Sequence, residues 1–161
     1  MVASSELPLA AGPAIAKTIE LAAGLARLTA VTTDRTDLAQ RARALAAEAE
    51  PLAAADAAAY HEFLRTKSRE ARAKTIELPL RMAVLAADVA ELAAEAYEHA
   101  QGPVGGDAAV GTMLAETAAR AAGYLVRVNG GGEAAAEATT RAAAAAARRS
   151  EERRVGKECR L

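Results

Sequence analysis

The chain contains a single cysteine, Cys159, no tryptophan, and only four aromatic side chains, Tyr60, Phe63, Tyr97 and Tyr124. A lone cysteine excludes a disulfide framework and a thiolate metal cluster, and it fits a reducing compartment. An excess of one charge is also missing. Lys and Arg number 20 against 21 Asp and Glu, a formal net charge of -1, so nothing here would hold a phosphate backbone or an anionic membrane by charge alone. Uninterrupted apolar stretches fall short of the roughly 18 residues a membrane span needs. Residues 1–8 lack the basic start and apolar stretch of a signal peptide, which makes the cytoplasm the expected location. The two histidines show neither His-x-x-x-His nor Glu-x-x-His spacing, so no metal site is expected.

What the chain has is alanine, 48 of its 161 residues. Alanine is the strongest helix former, and β-branched runs are scarce, so helices are expected throughout and a sheet is nearly excluded. The length suits one small domain. An alanine side chain buries little area, so such a core needs close backbone approach and often a second subunit to reach ordinary stability. An all-α single domain of about five antiparallel helices, an elongated bundle paired as a homodimer, is the expected architecture.

Apolar residues recur at helical spacing in five stretches, separated where turn chemistry predicts. The first covers about 14–31 after Gly12-Pro13, with Ile15, Ile19, Ala22, Ala26 and Ala30 along one face. A second, about 36–66, contains Pro51, which removes a backbone donor and should kink or interrupt it. The third, about 69–100, contains Pro79 and is expected to bend there. After the loop Gly102-Pro103-Val104-Gly105-Gly106, Asp107 stands where an N-cap belongs, and a fourth helix runs to Asn129 before Gly130-Gly131-Gly132. The fifth, 133–148, is almost pure Ala, Arg and Glu.

Asp56 is the residue that points to chemistry. Leu45, Leu52, Tyr60 and Phe63 lie near one helical face, and Asp56 falls four residues after Leu52, four before Tyr60 and seven before Phe63. Those spacings bring side chains to one side of a helix. A carboxylate flanked by three alanines on each side has little local polar company, and desolvation raises its pKa toward the range useful for proton transfer at neutral pH. The plainer reading is an Asp that turns to solvent at a kink after Pro51 or caps a helix.

Three blocks of sequence then come in order. Asp56-Ala57-Ala58-Ala59-Tyr60-His61-Glu62-Phe63 fits D-A-x-A-Y/F-x-x-F/V, Glu77-Leu78-Pro79-Leu80 fits a V-P-L block, and Gly106-Asp107 through Leu114-Ala115-Glu116 to Val126-Arg127-Val128-Asn129 fits S-D-x-x-V-A-A-x-L-A-E-A-A to N-V-x-I-N. Over roughly residues 8–135 the chain resembles the cyclodeaminase/cyclohydrolase family, the all-helical domain of formiminotransferase-cyclodeaminase and of stand-alone bacterial methenyltetrahydrofolate cyclohydrolases. The resemblance implies an elongated helical homodimer binding tetrahydrofolate in a cleft near the subunit interface. It implies expulsion of ammonia from 5-formiminotetrahydrofolate to give the 5,10-methenyl form, or hydrolysis of that form to 10-formyltetrahydrofolate. Asp56 matches the family's catalytic Asp. Gly12, Tyr60, Asp107, Glu116 and Asn129 are implied as substrate-binding residues, and no metal or redox cofactor is called for.

The chain also departs from the family. Where the family has P-x-P-G-G-G-S, this sequence reads Pro8-Leu9-Ala10-Ala11-Gly12-Pro13-Ala14, so Pro13 removes an amide donor and Ala14 a hydroxyl. Val84 replaces a frequent Glu, Gly106 a Ser, and Leu125 the first Asn of N-V-x-I-N. These losses leave open a second reading, a non-catalytic ligand-binding or interaction scaffold of the same fold. A plain Ala-rich bundle that partners another protein is a third, but it would not explain three ordered blocks.

Simpler roles compete for the remaining residues. Asp107 serves as a helix cap, Glu116 as a surface carboxylate beside the apolar stripe, and Asn129 as a C-terminal helix residue. His61 sits about 140° round the helix from Asp56, so it should not partner that carboxylate. His99 near a helix end suits the dipole. Basic residues at 65, 67, 69, 72 and 74 form a patch to which a folate's glutamate tail would be drawn. The run Arg149-Ser150-Glu151-Glu152-Arg153-Arg154-Val155-Gly156-Lys157-Glu158-Cys159 resembles an in-frame translation of a common sequencing-library adapter. Residues 1–148 are therefore read as the domain, with 149–161 set apart as an artefactual or disordered tail.

Overall fold

The computed structural model describes residues 10–158, with side chains over 10–149; Pro8 of the altered turn and Cys159 lie outside the described residues. Among the described residues six α-helices follow one another: α1 (Ala11–Thr32), α2 (Thr36–Ala49), α3 (Leu52–Thr66), α4 (Arg69–Glu98), α5 (Gly105–Val128) and α6 (Ala136–Glu158). A 3-10 turn, Gly102–Val104, precedes α5, and among the described residues there is no strand. The expected second stretch is two helices: α2 ends just before Pro51, which has no N–H to continue it and stands at the N-cap of α3. The backbone of α6 continues past Arg149 to Glu158.

Helix α4 is the central element and packs on α1, α2, α3, α5 and α6. From Met82 to Ala96 it is buried on nearly every side, which a helix tolerates only when its apolar residues run all round it. The acids in that stretch, Asp88, Glu91 and Glu95, share one stripe and are met by arginines from the flanking helices. Arg141 of α6 donates to Glu91 Oε1 at 2.9 Å and to Asp88 Oδ1 at 2.6 Å, while Arg41 of α2 donates to Glu95 Oε2 at 3.0 Å. The Arg141 guanidinium holds the Glu91 carboxyl below its usual range. Proline does not break α4 at Pro79; the helix runs through it without interruption.

Helices α1 and α5 lie antiparallel and approach closely. A methyl group on Gly111 would come within 3.0 Å of the Ala22 carbonyl oxygen, so this crossing is set by the lack of side chains, as an alanine-rich core requires. The face Ile15, Ile19, Ala22, Ala26 and Ala30 is buried as its spacing predicts. α1 begins at Ala11, three residues earlier than the sequence suggests, because Pro13 fits a first helical turn where no intrahelical donor is needed.

Asp107 is not the cap of α5. The helix starts at Gly105, its N-cap position is Val104 with no side-chain bond, and Asp107 lies exposed in the first turn. The capping group comes from another helix. Thr29 of α1 is buried, and its Oγ1 accepts from the Ala108 amide at 3.1 Å and donates to the Val104 carbonyl at 3.3 Å, inserting a hydroxyl into the first turn of α5. At the other end, the Gly131 amide donates to Val126 O and the Gly130 amide to Arg127 O, a Schellman stop that uses Gly130 at φ 96°.

Candidate functional site

Asp56 is on α3 and its carboxyl group rests against Gly12 in the first turn of α1. A Cβ built on Gly12 would overlap Cγ, Oδ1 and Oδ2 of Asp56. Glycine is therefore required here by close approach, since α1 has an ordinary helical turn at this point. Among the described residues, no hydrogen bond or ion pair reaches the Asp56 carboxylate. It is half-buried, and desolvation pushes its pKa above the usual carboxylate range.

The two residues form one wall of a cleft of about 390 Å³. Ala10 and Ala11 from the start of α1, Ala57, Tyr60 and His61 from α3, Thr75 from α4, and Leu125 and Asn129 from the end of α5 complete it. Its walls are mainly apolar, with Asp56, Tyr60, His61 and Asn129 supplying side-chain polar groups. Asn129 is also tied to α4, because its Nδ2 donates to Thr75 O at 2.6 Å. The Arg72 guanidinium lies against Gly130, next to Asn129, and so places a positive charge near this end of α5.

Of the residues singled out in the sequence, Gly12, Asp56, Tyr60 and Asn129 come together in this cleft. Asp107 and Glu116 do not. By helical rise they stand about 33 Å and about 20 Å along α5 from Asn129. The stripe through Asp56 is not a buried one throughout. Leu45 belongs to α2, Leu52 is in the core, Asp56 is half-buried, and Tyr60 is 53% exposed, so the face emerges from the core into the cleft. His61 makes no hydrogen bond with Asp56 among the described residues, in keeping with its angular offset, yet it lines the same cleft.

Thr75 and Leu125 were not anticipated as lining residues. The signal for Thr75 was present, since a proline at 79 leaves the carbonyl four residues earlier without its helical donor. For Leu125 the one signal was the resemblance, in which it replaces the first Asn of N-V-x-I-N; by pattern alone an aliphatic residue on an apolar stripe reads as core. The basic positions near 65–74 straddle the α3–α4 turn. Arg65 there is paired with Glu62, and Lys67 lies 4.9 Å from the centre of the Phe63 ring. Among the described residues, no three His, Cys, Asp or Glu side chains gather as a metal ligand set, and no helix is long and apolar enough to cross a membrane.

Residues 9–148 match the profile of a protein family described as formiminotransferase-cyclodeaminase. No curated protein matches the sequence.

Proposed function

The chain belongs to the formiminotransferase-cyclodeaminase family, and on that premise we propose that its cleft performs one-carbon chemistry on a reduced folate with Asp56 as the proton-transferring group. The observation that carries this reading is the Asp56 carboxyl itself. It is half-buried, packed on a glycine at the start of α1, without a hydrogen-bond partner among the described residues, and shifted toward its protonated form by desolvation. A carboxyl raised in this way holds its proton to higher pH than an ordinary one, which suits it to accept and return a proton during the reaction.

In cyclodeamination, N10 of 5-formiminotetrahydrofolate attacks the formimino carbon. Asp56 takes the proton from N10 and returns it to the formimino nitrogen, giving an intermediate in which that carbon bears three nitrogens. One further proton lets the carbon–nitrogen bond break and ammonia depart, leaving the 5,10-methenyl cation. In the reverse sense of addition, the same carboxylate would assist water onto the methenyl carbon. The apolar walls suit a flat ring system, and the Arg72 guanidinium, against Gly130 beside the lining residue Asn129, suits an anionic tail. The polar groups missing from the first turn of α1, Pro13 and Ala14, favour the alternative of a binding scaffold without turnover.

Asp56→Asn keeps the shape of the side chain and removes its titration. Turnover, followed by the absorbance of the methenyl product from 5-formiminotetrahydrofolate or its loss on hydrolysis, should fall by roughly 10² or more, with binding of tetrahydrofolate retained. Equal rates for both proteins would remove Asp56 from the chemistry. Binding by both with turnover by neither would establish the scaffold.

We further propose that the domain works as a homodimer. α1 exposes Leu21, Leu28 and Val31, and the adjacent α5 exposes Val110, Met113 and Tyr124, two apolar stripes on neighbouring helices of a chain with few large side chains to spare.

A further inference from the structure

Two residues from separate sequence blocks, Pro79 and Asn129, meet through a third. Pro79 has no N–H, so the carbonyl of Thr75, one turn earlier in α4, lacks the donor a helix would give it. Thr75 is 6% exposed, and a buried carbonyl left unpaired costs about 1–3 kcal/mol. Asn129, the C-cap residue of α5, fills the gap: its Nδ2 donates to Thr75 O at 2.6 Å.

That bond also determines which end of the amide remains. Reversing the amide would set Oδ1 against the Thr75 oxygen, two acceptors facing each other. With Nδ2 engaged, Oδ1 is the free end, and it makes no hydrogen bond among the described residues. Thr75 and Asn129 both line the cleft that holds Asp56.

We infer that Pro79 is a positioning residue: by freeing the Thr75 carbonyl it fixes the Asn129 side chain so that Oδ1 serves the cleft as an acceptor for an N–H donor of the ligand. This rests on the reduced-folate reading, since a pterin ring carries such N–H groups along an edge. Pro79 touches no ligand and acts through Asn129. The pairing explains why a proline in mid-helix and an asparagine fifty residues later belong to one site, the cleft that Asp56 of α3 also lines.

The test has one readout that needs no ligand. In an NMR spectrum of the full chain, the side-chain amide of Asn129 should be shifted and slow to exchange, and Pro79→Ala, which gives Thr75 O a backbone donor, should return it to the pattern of a free amide. A free-amide signal in the unmodified protein overturns the pairing. The second readout is the affinity for tetrahydrofolate by calorimetry, alongside thermal melts. Asn129→Ala and Pro79→Ala should each weaken binding, Asn129→Ala by roughly tenfold, the worth of one hydrogen bond, and the double variant should be no weaker than Asn129→Ala alone. Asn129→Asp keeps an acceptor of the same size but loses the donor; it should lose the bond to Thr75 and bind more weakly than the unmodified protein, and the melts separate that loss from a folding defect. Unchanged affinity in Asn129→Ala, with tetrahydrofolate bound by the unmodified protein, overturns the acceptor role and leaves the folate reading standing. Additive losses overturn the coupling. Absence of binding by the unmodified protein overturns the folate reading and the ligand half of this inference, while the amide signal still decides the pairing.

Discussion

Asp56 and Gly12 form a unit whose two halves are separated by 44 positions, and each limits what the other can be. Gly12→Ala would drive a methyl group into the carboxyl, so α3 must shift or Asp56 must turn away. Overpacking of this kind costs about 1–3 kcal/mol. Turnover should fall with stability, and Asp56→Ala added to Gly12→Ala should recover the stability, because the colliding atoms are then gone. Denaturant melts of the two single variants and the double variant check this. Burial of Asp56 has a second effect. Its pKa is raised in the folded chain, so the native state holds a proton that the unfolded chain has released, and stability falls as pH rises from the ordinary carboxylate value through the raised one. Asp56→Asn should therefore melt higher than the unmodified protein at pH 7, with the difference closing toward pH 3. A constant difference across that range would mean the carboxyl is not perturbed.

At the scale of an element, the start of α5 shows how a helix of small residues is terminated by its neighbours. Gly105, Gly106 and Ala108 provide no cap, and the hydroxyl of Thr29 on α1 supplies one by standing between Val104 O and the Ala108 amide. Thr29→Val is nearly the same shape and removes both bonds. It should cost about 1–3 kcal/mol, read from denaturant unfolding, as expected for buried groups left unpaired. Thr29→Ser, which keeps the hydroxyl, should cost far less. The same logic operates at the far end of the helix, where Asn129 meets the carbonyl freed by Pro79 and two glycines complete the stop. α5 is thus held at both ends by α1 and α4, and this holds Asn129 and Leu125 at the cleft.

For the whole molecule, the alanine content sets a limit on what one copy can bury. The largest fully buried side chains include Ile19, Leu38, Leu52, Met82, Leu92, Val89 and Val126, while much of the remaining core is alanine. Apolar side chains of comparable size remain exposed on α1 and α5, with Leu28 at 53% and Met113 at 50%. Light scattering at micromolar concentration should give about twice 16.5 kDa. Leu28→Glu or Met113→Glu should shift the species toward the monomer without unfolding it, because both positions are away from the core. A monomer at high concentration in the unmodified protein would remove the dimer.

Much of the fold was legible in the sequence because helices are local objects. Alanine content and the 3.6-residue period mark where they run, Pro51 marks where the second stretch breaks, and Gly130-Gly131 marks where α5 stops. The four-residue spacing around Asp56 also puts that carboxyl on one face with Leu52 and Tyr60 whatever the helix packs against. The tertiary structure decided which groups meet across the chain. Nothing local says that Gly12 must make room for Asp56, that Thr29 caps a helix 79 positions away, or that the carbonyl opened by Pro79 is closed by Asn129, because each depends on how α1, α4 and α5 cross. Alanine is the physical reason for the gap. It fits the core, a helix contact or the surface almost equally well, so its pattern names the helices clearly and their buried faces only weakly. The central position of α4 and the exposure of Tyr60 could emerge only once the helices had packed.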